Sequence, residues 1–451
     1  MAYTYEDFMK TKEQADAGDV NALCELGYIY YYGYDEIQAN QSAAVDCWSQ
    51  AAEQGDATAK NALGWCYRLG VCVPKNLNRA YQLIREAANL GNSDAQYMMG
   101  EFYYKGCPEL YLDCEYTMAF LWYMKAAKQN QMDAALNLAY FYENGIGTQK
   151  DAESGVAWYK KCAELGNADA MNNLANCYSA GRGVERNYRT AAEYYKKAAD
   201  KGNTFGLYNY ANSLYWGQGV EQNYKEAFSY YMKAEKNDYI PAIFIVANMY
   251  YGGVGTKTDF AEAFNRFKLI ASKNDPEYKE KIDSSLLMVG KCYYLGRGAD
   301  KDIDKAISCF KRCIEDDIQD PEAAYFLGEI YRLGESSSGI EKYVSFDYYE
   351  KAIEYYMKGT VNVQREVLNQ SCYYVGLVYS LDEGVPRDMI QANKYWQIGT
   401  EGKDPDCCYK LAMSYLNGWG VRQDYDMAKK LLHQAASLGQ RDAAAILNQM
   451  R

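Results

Sequence analysis

Asn176, Asn212 and Asn248 stand 36 residues apart, and Asn137, Asn173 and Asn209 repeat the same interval. A primary amide carries both donors and an acceptor. An extended peptide presents N–H and C=O groups at regular intervals. A spaced row of asparagines is therefore chemistry for gripping a backbone without reading its side chains. Asparagine is a mediocre helix former, because its side chain competes with the backbone for hydrogen bonds. Three of them within AMNNLANCYSAGRGV, residues 170–184, call for a reason beyond propensity. Aromatic residues keep the same interval, Tyr208 with Phe244 and Tyr215 with Tyr251. Exposed tyrosines supply contact area at low entropic cost and are enriched at binding surfaces.

Signals for catalysis or metal chemistry are weak by comparison. The single histidine, His433, lies in AKKLLHQAA, where a solvated helix surface is expected. Without a second histidine, HExxH zinc sites and most His-rich metal sites are excluded. Fourteen cysteines invite a disulfide reading, but no pair recurs from repeat to repeat. Cys66, Cys177 and Cys292 share one position, Cys162 and Cys313 another, as buried thiols in a reducing compartment would. Cys309 and Cys313 are four apart but have no further ligand pair. The pairs such as Gly181-x-Gly183 follow a helix and lack a third glycine, whereas a dinucleotide fingerprint needs strand, loop and helix. GGVGTKT at 252–258 has the wrong spacing for a phosphate loop. Carboxylate clusters such as EDD at 315–317 fall on turns. No catalytic residue, metal site or cofactor is expected.

The elements that position the amides are set by an internal repeat. A tyrosine or leucine followed by x-x-Gly recurs as YYYG at 30–33, YRLG at 67–70, YYKG at 103–106, YENG at 142–145 and YSAG at 178–181. It continues as LYWG at 214–217, YYGG at 250–253, YYLG at 293–296, YRLG at 331–334 and YLNG at 415–418, with a degraded copy, YSLDEG, at 379–384. That makes eleven copies. Each unit opens with A-x-x-x-L-[GA]-x-x-Y, as in AKNALGWCY at 59–67, whose apolar residues at i, i+4 and i+8 form one helix face. It closes with A-x-x-[YW]-[YW]-x-K-A-A, as in AFLWYMKAA at 119–127. Between them sits G-x-G-V and a polar turn, and glycine readily takes the left-handed conformation that ends a helix. The small residue at Gly64, Ala139 or Ala175 is expected to let the paired helix approach closely.

The whole pattern, with its recurrent A-E-x-G-N stop, resembles that of Sel1-like repeats, relatives of tetratricopeptide repeats. The resemblance covers nearly the whole chain. It implies an all-α fold, a right-handed α/α solenoid superhelix of about eleven helix pairs. It also implies an adaptor without catalytic activity of its own, as Sel1-like proteins generally are. A secreted subgroup carries one disulfide in each repeat, and the cysteine spacing departs from it. The expected organisation is a capping helix over 1–21, regular repeats over 22–271, and irregular repeats over 272–384. C-terminal repeats over 385–441 and a terminal capping helix over 442–451 complete it. Residues 272–285 read as a long connection, and 334–384 as an enlarged unit with the loop GESSSG.

With the opening Ala numbered 1, Leu 5 and Tyr 9, about 100° per residue turns positions 1, 5, 8 and 9 toward partner helices. Positions 3, 7 and 10 turn away. In tetratricopeptide-like solenoids the first helices line the concave wall, so these positions would line its groove, with position 4 at the flank. Asn176, Asn212 and Asn248 take position 7, which also holds Tyr140; Asn137, Asn173 and Asn209 take position 4. Tyr208 and Phe244 take position 3, and Tyr215 and Tyr251 position 10. These eleven residues are the expected contacts for a partner protein or extended peptide near repeats four to seven. Position 4 has a structural alternative, tying one helix to the next.

Composition agrees with this reading. The 451 residues carry a net charge of −12 and no basic cluster, against a nucleic-acid partner. Forty-eight tyrosines and only seven prolines suit packed helices. No run approaches the ~20 apolar residues of a membrane span. The start, MAYTYEDFMKTKEQ, lacks the features of a signal peptide, so a cytoplasmic protein is expected. The rivals are a carbohydrate-binding or hydrolytic protein using the same aromatic groove, and a self-assembling solenoid, for which a homo-oligomer is the natural state.

Overall fold

Each half-repeat becomes a helix for local reasons. A computed structural model describes residues 5–34, 37–315, 318–336, 341–359, 365–381 and 385–450. The end of GESSSG, the end of YSLDEG and the last two residues of EDD lie outside the described residues. Among the described residues there are 24 α-helices and no strand. The chain divides into two units, residues 1–223 and 224–451.

The first unit contains α1 (Tyr5–Asp16), α2 (Val20–Tyr32), α3 (Gln41–Glu53), α4 (Ala57–Leu69), α5 (Leu77–Asn89) and α6 (Ser93–Lys105). It continues with α7 (Tyr116–Lys128), α8 (Met132–Asn144), α9 (Ala152–Glu164), α10 (Ala168–Ala180), α11 (Tyr188–Asp200) and α12 (Thr204–Trp216). The second unit contains α13 (Tyr224–Glu235), α14 (Ile240–Gly252), α15 (Phe260–Ala271), α16 (Lys279–Leu295), α17 (Ile303–Cys313) and α18 (Pro321–Leu333). It ends with α19 (Lys342–Lys358), α20 (Arg365–Leu381), α21 (Met389–Glu401), α22 (Pro405–Asn417), α23 (Tyr425–Ser437) and α24 (Arg441–Gln449).

The stop signals turn out to be start signals as well. The Asn of AELGN, Asn167, accepts the Ala170 amide at 2.7 Å and so caps α10. Asp56, Asn92 and Asn203 do the same for α4, α6 and α12. Each cap satisfies a backbone donor that the first turn leaves unpaired, typically worth about 1 kcal/mol. At the other end of α10, Gly181 adopts φ +71° and its N–H bonds the Cys177 carbonyl at 2.8 Å. The polar turn then returns to the helix, where the Asn187 N–H donates to the Tyr178 carbonyl at 2.8 Å. The recurrent tyrosine thus contributes its backbone to the turn.

Within each unit a first helix packs on the second helix of its own repeat and on the second helix of the repeat before. Successive first helices also touch, α6 with α8 and α10 with α12 in the first unit, α18 with α20 and α20 with α22 in the second. The small residue before the turn makes the pairing close. A Cβ placed on Gly64 would lie 2.6 Å from Ile84 Cγ1, and one on Gly100 only 2.4 Å from Tyr123 Cε1. Large second-helix residues fill these seats, and Tyr123, Tyr159 and Ile84 are fully buried. The core of each unit is consequently a string of local clusters, and stability depends on neighbours alone.

One connection differs from expectation. Residues 272–285 hold a short turn at Pro276–Tyr278, after which α16 already runs from Lys279. Lys and Glu favour helix, and Ser284 and Ser285 return their hydroxyls to the Glu280 and Lys281 carbonyls at 2.8 and 2.7 Å. Half of the expected connection is therefore extra helix. Ten of the fourteen cysteines are buried as expected, while Cys72 and Cys114 are exposed and Cys107 and Cys309 half-buried. Cys66, Cys177 and Cys292 are buried, and desolvation pushes their thiols up to about 11, 12 and 11.

Candidate functional site

Residues at positions 3, 7 and 10 of the first helices line a cavity in the first unit. On α4 these positions are Asn61, Trp65 and Arg68, an amide, an indole and a guanidinium in one stripe. Together with Tyr28 and Tyr31 of α2 and Tyr97 and Glu101 of α6 they line a cavity of about 870 Å³. Trp65 is 38% exposed, a large aromatic open to solvent. Arg68 lies over Trp65, 5.1 Å from its ring centre, and over Phe102 at 5.6 Å. Behind them Trp48 packs edge-on against Tyr28, with centroids 5.1 Å apart. The register arithmetic applies here, but the cavity lies mainly in repeats one to three, with Asp133 of the fourth at its edge, and not in the Asn-rich stretch of repeats four to seven. Residue type drew attention to asparagine; register alone would have singled out Tyr28 and Trp65 at position 7.

The amides have internal partners that the sequence did not reveal. Asn176 Oδ1 accepts the hydroxyl of Tyr195 at 2.7 Å. Tyr195 is buried on α11, and desolvation raises its hydroxyl to about 12. Position 7 thus satisfies a second-helix tyrosine, and Glu101 does likewise for Tyr123 at 2.6 Å. The position 4 amides act between repeats. Asn137 Nδ2 donates to Glu101 Oε1 at 3.1 Å, joining α8 to α6. Asn209 Nδ2 donates to Asn172 Oδ1 at 2.9 Å, joining α12 to α10, and Asn172 Nδ2 contacts Asn173 Oδ1 at 3.4 Å. Asn172 itself is buried, although its register is that of the open face. Asn212 bonds the Tyr208 hydroxyl, whose pKa is raised by burial. Asn209 and Asn212 also line a smaller polar recess of about 190 Å³ with Tyr195 and Gln218.

The aromatic members are spread between surface and packing. Tyr140 is 45% exposed on α8. Tyr208 and Tyr215 are half-buried, and Tyr215 stands edge-on to the exposed Trp216 with centroids 4.9 Å apart. In the second unit, Phe244 is half-buried against Phe267, 6.0 Å between centroids, and the Tyr251 hydroxyl accepts from Arg297 at 3.0 Å. Asn248 is exposed, and its Nδ2 donates to the Phe244 carbonyl of its own helix at 2.8 Å. The second helix of that repeat offers Phe267, with no hydroxyl to satisfy. Asn176 and Asn248 are therefore alike in register and unlike in role. Asn176→Ala is expected to cost about 1–3 kcal/mol, because it removes the side-chain acceptor of a buried hydroxyl. Asn248→Ala is expected to change stability by less than about 0.5 kcal/mol. Urea unfolding of the two variants checks this.

The comparisons with known proteins agree with the fold. The Sel1 repeat pattern matches residues 20–56, 57–92, 93–131, 133–167, 168–203, 204–239, 240–275, 283–315, 321–358, 369–404 and 405–440. The chain is a Sel1-repeat protein. The degraded tyrosine motif falls within the tenth match. A protective antigen of uropathogenic Escherichia coli, crystallised with the same repeat fold, is 26% identical with a TM-score of 0.81, covering 98% of this chain and 90% of its own. A Sel1 repeat protein from Oxalobacter formigenes is 26% identical with a TM-score of 0.51, over 56% of this chain and 98% of its own. Among curated relatives, the chitin synthase regulator SKT5 of Saccharomyces cerevisiae is 34% identical over 140 residues, 30% of this chain and 19% of that protein. HRD3B of Arabidopsis thaliana, a component of an ERAD-associated E3 ubiquitin-protein ligase, is 30% identical over 102 residues, 22% of this chain and 16% of its own. The Sel1-repeat chain thus spans less than a fifth of these curated relatives. Sel1-repeat proteins generally mediate protein–protein interaction. Among the described residues no group of three or more His, Cys, Asp or Glu is arranged to hold a metal. No described helix is long and apolar enough to cross a membrane.

Proposed function

We propose that this Sel1-repeat protein is a non-catalytic scaffold that holds a partner protein, or an extended segment of one, on the face formed by its first helices. The observation that carries the reading is the aromatic cavity of about 870 Å³ built from first-helix positions, with Trp65 standing exposed in its wall. Exposed aromatics in a concave setting are typical binding anchors. In the first unit the contact surface includes Tyr140, Tyr208 and Tyr215; the second unit offers Phe244, Asn248 and Tyr251 on its own first helix. The amides Asn137, Asn173, Asn176, Asn209 and Asn212 serve it by bracing the helices and offer their remaining hydrogen-bonding capacity to a ligand backbone. The regulator and ligase-component roles of the partial relatives support an adaptor reading. The buried thiols support a reducing, cytoplasmic setting.

The test is site-specific photo-crosslinking in the native cell. A crosslinker replaces Tyr140 on the first-helix face or Glu193 on the exposed side of α11. Protein adducts from position 140 and none from position 193 are expected. Adducts from position 193 alone would place binding on the other side. A protein that gives no adduct at either position but binds on a glycan array would be a carbohydrate binder.

A further inference from the structure

The cavity of the first unit holds two polar groups without adequate partners, and together they describe an occupant. Asn61 is only 6% exposed, lines the cavity, and its Oδ1 has no hydrogen-bond partner. A buried acceptor left unpaired is costly, so the site gains when a ligand brings an N–H to it. Arg68 is half-buried, and among the described residues its only hydrogen-bonding contact is a weak one, from Nη1 to Met98 Sδ at 3.8 Å. Among the described residues no carboxylate pairs with it. Its guanidinium carbon sits over the rings of Trp65 and Phe102, and a guanidinium fork without a carboxylate suits bidentate recognition of one.

The carboxylates that line the same cavity do not meet this need. Glu101 is taken by Lys105, the Tyr123 hydroxyl and Asn137. Glu109 accepts the Cys107 thiol at 3.4 Å. Asp94 and Asp133 sit in the first turns of α6 and α8, whereas Arg68 sits in the last turn of α4. Successive first helices run the same way, so Asp94 and Asp133 lie at one end of the cavity and Arg68 at the other, where Glu101 and Glu109 are already engaged. Asn61 and Arg68 are seven residues apart on α4, about 10 Å at 1.5 Å per residue. That is the length of about three residues of extended chain. The indole of Trp65 lies between them.

Resting on the scaffold reading above, we infer that the cavity takes an extended segment of a partner protein with an Asp or Glu side chain paired to Arg68. A backbone N–H about three residues away in that segment bonds Asn61, and an apolar or aromatic side chain between them lies on Trp65. The carboxylates Asp94 and Asp133 repel an acidic residue at the far end and so set the direction of the segment. The wall continues past Arg68 to Leu69, Val71 and Gly106, so the chain runs on and the carboxylate belongs to a side chain, not to a terminus.

The experiment is selection of a displayed library of short linear peptides against the full chain. Fluorescence anisotropy with the best synthetic peptide follows. Selected sequences are expected to carry an acidic residue beside an apolar or aromatic one. Arg68→Gln is expected to weaken the peptide roughly tenfold to a hundredfold, and Arg68→Lys to recover only part of that loss. Changing the peptide's acid to its amide, with the protein unaltered, is expected to cause the same loss, and the two changes together no more than either alone. Selected peptides without a carboxylate, or equal binding to wild type and Arg68→Gln, would overturn the inference and leave the scaffold reading standing. A folded protein that selects no peptide at all would overturn the scaffold reading for extended segments and this inference with it.

Discussion

Gly183→Ala is expected to lower the unfolding free energy by about 3 kcal/mol, while Gly202→Ala costs only about 1 kcal/mol. Both glycines have positive φ, +67° and +80°, so both substitutions strain the backbone. They differ in what the new methyl group meets. At Gly183 it would lie 2.2 Å from the carbonyl oxygen of Ala152, the first residue of α9. At Gly202 nothing lies within 4 Å. The second glycine of the G-x-G turn is thus a contact between repeats, where one repeat's turn rests on the second helix of the repeat before it. Gly147 and Gly219 make the same approach, at 2.1 Å to Tyr116 and 2.0 Å to Tyr188. Urea denaturation followed by circular dichroism separates the two cases. Equal losses at Gly183 and Gly202 would mean that backbone strain, and not the junction, governs the motif.

The second large effect is expected at Glu101. Its Oε1 accepts the Tyr123 hydroxyl at 2.6 Å and the Asn137 amide at 3.1 Å, while Lys105 pairs with the other oxygen. Tyr123 is fully buried, and burial with the adjoining carboxylate pushes its hydroxyl far above the usual tyrosine range. Glu101→Ala removes one acceptor from two donors and should cost about 3 kcal/mol. Glu101→Gln keeps an acceptor and should cost roughly 1 kcal/mol. Tyr123→Phe in the Glu101→Ala background should cost much less than it does in wild type, because the hydroxyl is already stranded there. Thermal unfolding of the four proteins completes this cycle. Additive losses would show that the hydroxyl finds another partner.

The helices were legible because every repeat states the same period, stop and small residue. One reading at residues 57–92 serves for most of the chain. The register of the open face was legible only in part: Trp65, Tyr140 and Asn248 at position 7 are exposed, whereas Asn61 and Asn172 at position 3 and Glu143 at position 10 are buried. What each open-face residue does was not legible. Asn176 and Asn248 look identical along the sequence. Their roles separate only when the second helix is read with the first, where Tyr195 demands an acceptor and Phe267 demands nothing. Position 7 follows that rule elsewhere, with Glu329 accepting the hydroxyl of Tyr349. The cavity was missed for a different reason. It arises from how the bulky side chains Trp48, Trp65 and Phe102 leave space between neighbouring helices, and one-dimensional spacing does not encode volume. The early start of α16 was hidden because Pro276 signals a turn but does not say how soon the helix resumes.

The most direct measurement of the binding face uses the partner identified by crosslinking, titrated calorimetrically into three forms of the full chain. One is wild type. One carries Trp65→Ala and Tyr140→Ala on the first-helix face, and one carries Glu193→Ala and Lys196→Ala on the exposed side of α11. All three should show the same helical spectrum. A loss of at least roughly tenfold in affinity for the first-helix pair, with wild-type affinity for the α11 pair, is the expected result. Unchanged affinity for the Trp65 and Tyr140 pair, with a loss for Glu193 and Lys196, would contradict the placement of the binding surface on the first helices.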